Sequence, residues 1–164
     1  MNKNEFDIIR NYFSTPELSF EQEGLVLGIG DDAALIQIPD ANNLSISTDV
    51  LVEGVHFPTD ANPSQIAKRA LSVNLSDLAA MAANPCFFTL GLILPTANED
   101  WLSEFSAGLG EIAQKYCITL IGGDLSKGPM AIAIQVHGCS PIDKALRRDG
   151  AKIGDELFVT GPLG

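Results

Sequence analysis

A chain of 164 residues with 46% hydrophobic and 19% charged residues can bury a core of single-domain size and does not have the composition of a disordered protein. Its formal net charge of −11 argues against nucleic acid or an anionic membrane surface as a partner, and an anionic nucleotide would be repelled unless metal ions mediate. Cys86, Cys117 and Cys139 are odd in number and lack metal-ligand spacing, which fits buried apolar thiols in a reducing compartment.

The N-terminus carries no apolar signal core, and a cytoplasmic protein is expected. Residues 5–13 predict a short amphipathic helix with Phe6, Ile9 and Phe13 at helical spacing. A turn-rich acidic stretch over 14–24 precedes three extended segments, 25–29, 33–38 and 44–48. Gly54, Pro58 and Pro63 predict a loop over 50–62. The alanines of 64–83 predict a long helix that packs closely. Residues 86–94 read as a strand buried on both faces and are too few to span a bilayer. Residues 98–115 predict a second helix, whose stripe of Trp101, Leu102, Phe105, Leu109 and Ile112 belongs to the core. Strands follow at 118–122 and 130–138, joined by a loop over 122–129. A basic patch of Lys144, Arg147 and Arg148 precedes a last strand near 156–160. The ending Thr160-Gly161-Pro162-Leu163-Gly164 reads as a domain junction, so 1–160 are expected to form one domain and 161–164 to open a second.

Aspartates stand where apolar segments end. Asp31 and Asp32 close Val26-Leu27-Gly28-Ile29-Gly30, Asp49 closes Leu44-Ser45-Ile46-Ser47-Thr48, and Asp124 closes Thr119-Leu120-Ile121-Gly122-Gly123. Asp77 interrupts an apolar helical stretch, three residues after Asn74 and on its face. Lone carboxylates are costly to desolvate, and hard divalent cations are the natural partners of clustered oxygens. Each segment has a plainer reading: an acidic turn, a helix cap, an exposed polar stripe, a hairpin. Glycines 122 and 123 free backbone amides that can cradle phosphate. There is no Gly-x-x-x-x-Gly-Lys-Ser/Thr loop, no Gly-x-Gly-x-x-Gly, and no Ser-His or Cys-His pairing. His56 sits in a loop and can donate to a phosphate or hydroxyl, whereas His137 lies in an apolar strand and reads as a satisfied core residue. Arg147 and Arg148 are either solvated or a guanidinium clamp.

Five segments occur together in order: Gly-Ile-Gly-Asp-Asp-Ala-Ala (28–34), Ser-Thr-Asp-Val-Leu-Val-Glu-Gly-Val-His-Phe (47–57), Asn-Leu-Ser-Asp-Leu-Ala-Ala-Met (74–81), Ile-Gly-Gly-Asp (121–124) and Ala-Leu-Arg-Arg-Asp-Gly-Ala-Lys-Ile-Gly-Asp (145–155). Over essentially its whole length the chain closely resembles the N-terminal domain of the thiamine-monophosphate kinase family, within the wider aminoimidazole ribonucleotide synthetase and selenophosphate synthetase superfamily. The resemblance implies an α/β (α+β) domain with a mixed four-stranded sheet, helices on one face, and pairing with a second subunit into a shared barrel. It implies transfer of the γ-phosphoryl of ATP to thiamine monophosphate, with magnesium ions and a homodimer. It assigns Asp32, Ser47, Thr48, Asp49, Asp77 and Asp124 to the metal shell, Gly123, Asp124 and Arg148 to the nucleotide, and His56 to thiamine monophosphate. No residue is assigned a covalent or acid–base role.

The family pattern Gly-Gly-Asp-Thr departs here to Leu125, so one hydroxyl is lost and Leu125 is held outside the site. The family's second domain is absent from these residues, which predicts little or no turnover by this domain alone. The alternatives are another superfamily enzyme, of the selenophosphate synthetase or hydrogenase-maturation kind, or a non-catalytic dimeric metal- and nucleotide-binding module. A selenophosphate synthetase should carry a reactive cysteine near its N-terminus, and none precedes Cys86.

Overall fold

The computed structural model describes residues 5–159, 161 and 162. Helix α1 (Glu5–Ile8) runs into a π-helical turn over Ile9–Phe13. Ile8 and Phe13 are buried, while Phe6 faces solvent. Strands β1 (Leu25–Leu27) and β2 (Leu35–Ile36) form a small antiparallel pair around the Gly28–Ala34 loop. The main elements are β3 (Asn42–Val52), α2 (Pro63–Ala80), β4 (Asn84–Leu94), α3 (Glu99–Tyr116), β5 (Thr119–Lys127) and β6 (Ala131–Pro141).

The four long strands pair in the order β3-β6-β4-β5. Only β4 and β5 run parallel, so the α3 crossover joins them, while β6 lies antiparallel to both of its neighbours. The two long helices start where the sequence provides an acceptor. The Asn62 side chain accepts from the Gln65 amide at 3.1 Å with Pro63 next in line, and Asn98 accepts from the Trp101 amide at 2.9 Å. Cys117, in the left-handed region at φ 51°, ends α3.

The core fills the space between one sheet face and the two helices. Phe88, Leu90 and Leu92 of β4 and Ile132, Ile134 and Val136 of β6 belong to one buried cluster with Ala67, Ala70 and Leu71 of α2 and Leu102, Phe105 and Leu109 of α3. At Gly108 the helices come so close that a Cβ would lie 2.5 Å from the Ser64 carbonyl oxygen. No helix among the described residues is long and apolar enough to cross a membrane.

The opposite face is open. Leu44, Ile46, Thr48 and Val50 of β3 alternate with inward residues and are exposed, and Thr89, Gly91 and Ile93 of β4 are half-buried. The expectation that β4 is buried on both faces is therefore corrected, because the helices cover one side only. Strand β3 extends from 42 to 52 because β6 pairs with it from Asn42↔Pro141 to Val52↔Ala131, so the expected loop begins later. Strand β5 continues to Lys127, paired with β4, so Gly122-Gly123-Asp124 lies inside a strand and not in a connecting loop. No strand forms over Glu156–Val159, where Leu157 and Phe158 stay exposed without a ladder to join; Thr160, Leu163 and Gly164 of the expected junction lie outside the described residues. Cys117 is exposed and Cys86 and Cys139 are only half-buried, which corrects their reading as core thiols.

Candidate functional site

A cavity of about 560 Å³ opens between α1, the Gly28–Ala34 loop and strands β4 and β5. Its lining joins apolar side chains, among them Phe6, Ile9 and Phe13, to Asp31, Asp32, Gly122, Gly123 and Asp124. The register explains how the Gly122–Asp124 segment reaches the cavity. Phe88 pairs with Leu120 and Thr89 with Gly122, so Ile121 is an extra residue on β5 that turns the strand where it meets the cavity. Gly123, at φ 152°, then lies so close to β4 that a Cβ would run into the Leu90 carbonyl oxygen. A Cβ on Gly122 would meet nothing within 4 Å, which leaves backbone open to the cavity.

Asp124 is exposed, and its Oδ2 accepts a hydrogen bond from Ser126 Oγ at 2.6 Å. Ser126 is two residues along the same strand and so stands on the same face. Leu125, between them, packs against the core. The hydroxyl missing at 125 is thus supplied from 126, which the loop reading of this segment concealed. Asp31 Oδ1 accepts from the Asp32 amide at 2.8 Å, a local turn that occupies Asp31. Asp32 forms no side-chain hydrogen bond or ion pair among the described residues.

A second group sits on β3 and α2. Ser47 Oγ donates to Asp77 Oδ2 at 2.5 Å. Asn74, fully buried one turn earlier, accepts from the Asp49 amide at 3.1 Å and donates to the Ala70 carbonyl at 2.9 Å. Asn74 thereby satisfies an edge-strand amide and fixes β3 against α2. Asp77 is exposed and Asn74 is the buried member, so neither the buried-acid reading nor the exposed-stripe reading holds for both. Thr48 points to the open sheet face, where its Oγ1 accepts from Gln135 at 3.0 Å.

The structure therefore brings the residues expected in the metal shell together in two groups, Asp32 with Asp124 and Ser47 with Asp49 and Asp77, and sets Thr48 on the opposite face from the latter. Strands β3 and β5 are the two edges of the sheet, about 14 Å apart at the usual strand spacing. Among the described residues, no three His, Cys, Asp or Glu side chains are grouped so that they could hold a metal ion. The donors in both groups are hard oxygens, the chemistry magnesium requires.

His56 is tied to its own loop: its Nδ1 accepts from the Val52 amide at 3.0 Å, which leaves the proton on the exposed Nε2 side. Arg147 is committed to Asp149 through two hydrogen bonds of 2.9 Å each, whereas Arg148 is exposed and pairs with no acid among the described residues. Burial, with Cys139 alongside, raises the Cys86 thiol to about 11, so it is no thiolate nucleophile at neutral pH.

His137 is not fully satisfied. Its Nε2 meets Gln135 Oε1 at 3.1 Å, while the buried Nδ1 has no hydrogen-bond partner among the described residues. Burial lowers its pKa below the ordinary 6.5. Below that value the unfolded chain binds the proton more readily, so stability from the neutral ring is complete above pH 6.5 and is lost as pH falls through the window below it. In urea unfolding, His137→Gln is expected to lose less stability between pH 7.5 and pH 5 than the parent chain. An identical loss in both would show that the ring does not titrate as its burial requires.

Residues 30–139 match the family model for the AIR synthase related protein, N-terminal domain. The chain belongs to that family. Thiamine-monophosphate kinase from Escherichia coli K12 is 48% identical over 160 residues, which make up 98% of this chain and 49% of that protein. This AIR synthase related domain thus spans about half the length of the curated relatives it matches. The crystal structure of thiamine-monophosphate kinase from Stenotrophomonas maltophilia K279a superposes with a TM-score of 0.77 at 45% identity, covering 82% of this chain and 43% of that one. AaThiL complexed with AMPPCP and TMP superposes with a TM-score of 0.67 at 33% identity, covering 77% of this chain and 41% of that one. These likenesses agree with the fold read from the five segments, the mixed four-stranded sheet included.

Proposed function

We propose that this domain is the ATP- and magnesium-binding half of a cytoplasmic thiamine-monophosphate kinase. One observation carries the reading: Asp32, Gly123 and Asp124 line one cavity, whose size suits a small ligand. The relatives' names supply the reaction, phosphoryl transfer from ATP to thiamine monophosphate.

The residues suit that chemistry. Asp32 and Asp124 would hold magnesium at the cavity mouth, with Ser126 fixing the Asp124 carboxylate. Ser47, Asp49 and Asp77 would complete the shell from the other edge, once a second copy and residues of the kind found in the relatives' other half contribute, whereas Thr48, turned to the opposite face, would not share it with them. Bound magnesium supplies charge neutralisation and Lewis acidity at the transferred phosphoryl group. Gly122 and Gly123 leave room for phosphate oxygens against the backbone, Arg148 offers an uncommitted guanidinium, and the exposed side of His56 offers a donor to thiamine monophosphate. The acceptor is already an anionic phosphate oxygen, so no general base is needed. Turnover by this domain alone is expected to be slight or nil. Isothermal titration with ATP tests the reading: heat of binding is expected with magnesium and none with chelator, and equal binding in both would overturn it.

The homodimer belongs to the same proposal. Leu44, Ile46 and Val50 present an apolar row on the open sheet face, and a second copy laid against it would close a barrel. Ile46 is 56% exposed, so Ile46→Lys should leave the fold intact while shifting a sedimenting dimer to monomer at micromolar concentration. A parent chain that sediments as a monomer would remove the barrel.

A further inference from the structure

Two of the three cysteines meet across neighbouring strands. Asn84 of β4 stands opposite Cys139 of β6, and Pro85 opposite Gly138. A regular antiparallel ladder would next set Cys86 opposite His137. Phe87 takes that place, so Cys86 is the unpaired residue of a bulge. Its thiol folds back along β4, and Sγ donates to the carbonyl of Asn84, the residue paired with Cys139, at 3.3 Å. There the Cys86 sulfur meets both the thiol and the backbone amide of Cys139. Gly138 faces Leu78 of α2, so Cys139 points to the open sheet face, beside Leu44, its partner on β3. Both thiols are free and half-buried.

We propose that Cys86 and Cys139 form a thiol–disulfide site, closed by a small disulfide oxidant such as oxidised glutathione and reopened by a dithiol. No step of phosphoryl transfer uses either sulfur, so the site is a separate property of the domain. Burial, then the adjoining Cys139 thiol, raises Cys86 to about 11, so Cys86 is protonated at neutral pH and Cys139 supplies the first thiolate. Cys139 releases its proton, attacks one sulfur of oxidised glutathione and expels the other half as a thiolate. Cys86 then releases its proton and attacks the Cys139 sulfur, expelling the second glutathione thiolate. One S–S bond forms in the protein and one breaks in the oxidant. Two electrons pass to the oxidant, and the two protons end on glutathione. The bridge closes a loop of about 50 residues that holds α3 and β5, which restrains the unfolded chain.

The test uses the chain with Cys117→Ser, so that only the pair can react. Oxidised glutathione is expected to remove both remaining thiols together, to lower the intact mass by about 2 Da and to raise the melting temperature by several degrees, all reversed by dithiothreitol. These readings do not depend on whether a variant of the pair folds. Cys86→Ala is expected to stop at one glutathione retained on Cys139. Cys139→Ala is expected to take up glutathione at least about 10-fold more slowly, because the thiol that remains is the protonated one. Melting curves of the reduced variants confirm that they are folded. A Cys117→Ser chain that settles with retained glutathione, or forms covalent dimers on a non-reducing gel, would show that the two sulfurs do not join within one chain. Thiols left intact by a treatment that modifies Cys117 in the parent chain would also overturn the site. Equal rates in Cys86→Ala and Cys139→Ala would overturn the order of attack.

Discussion

Asp124→Asn is expected to abolish magnesium-dependent ATP binding by this domain, a loss of at least about 100-fold in affinity. The substitution keeps the shape of the side chain. Ser126 Oγ can still donate to the remaining carbonyl oxygen, and the residue is exposed, so the fold should be untouched. What changes is charge: a neutral amide replaces an anionic oxygen at the cavity mouth, and Asp32 is left as the uncommitted carboxylate there. Asp77→Asn provides the comparison, because it lies in the other group, hydrogen-bonded to Ser47 on the far side of the sheet. In the isolated chain Asp77→Asn should weaken ATP much less than Asp124→Asn. Isothermal titration of both variants, with melting curves to confirm folding, decides the matter. Equal losses would mean that the two groups act as one site in this chain. No loss in Asp124→Asn would remove the cavity mouth from metal binding altogether.

The division into two groups was not legible in the sequence. The aspartates are legible as ends of apolar segments, and their order supports the family resemblance. Their spatial grouping depends on strand order, which segment spacing does not encode: β6, last in the chain, inserts between β3 and β4 and drives Asp49 and Asp124 to opposite edges. Helices α2 and α3 were readable within a few residues, because alanine content and an apolar stripe act locally; their asparagine caps, which set the first residue, were seen only in the structure. The Gly122-Gly123 segment misled because adjacent glycines normally mark a turn. Here β4 holds them extended through tertiary pairing, and once they lie in a strand the period of two puts Ser126 beside Asp124. Asn74 was visible only as a neighbour of Asp77. Its bond to an edge-strand amide needs the position of β3 against α2, which no local pattern supplies.

The two adjacent glycines should separate stability from binding. At Gly123 a new Cβ would collide with the Leu90 carbonyl oxygen, and at φ 152° the backbone suits glycine. Strand β5 can relieve the clash only by moving off β4, so Gly123→Ala is expected to lower unfolding stability by about 1–3 kcal/mol, the usual cost of overpacking. At Gly122 a Cβ meets nothing, and alanine there restricts the unfolded chain more than glycine does, so Gly122→Ala should leave stability within about 0.5 kcal/mol of the parent chain. The same open space faces the cavity, where the methyl group would stand in the path of phosphate oxygens. Gly122→Ala is therefore expected to weaken ATP in a protein of normal stability, while Gly123→Ala loses stability first and binding as a consequence. Urea unfolding and ATP titration on the two variants read these effects independently. Equal destabilisation of both would show that contact with Leu90 is not what requires glycine at 123, and unimpaired ATP binding by Gly122→Ala would move the phosphates away from this strand.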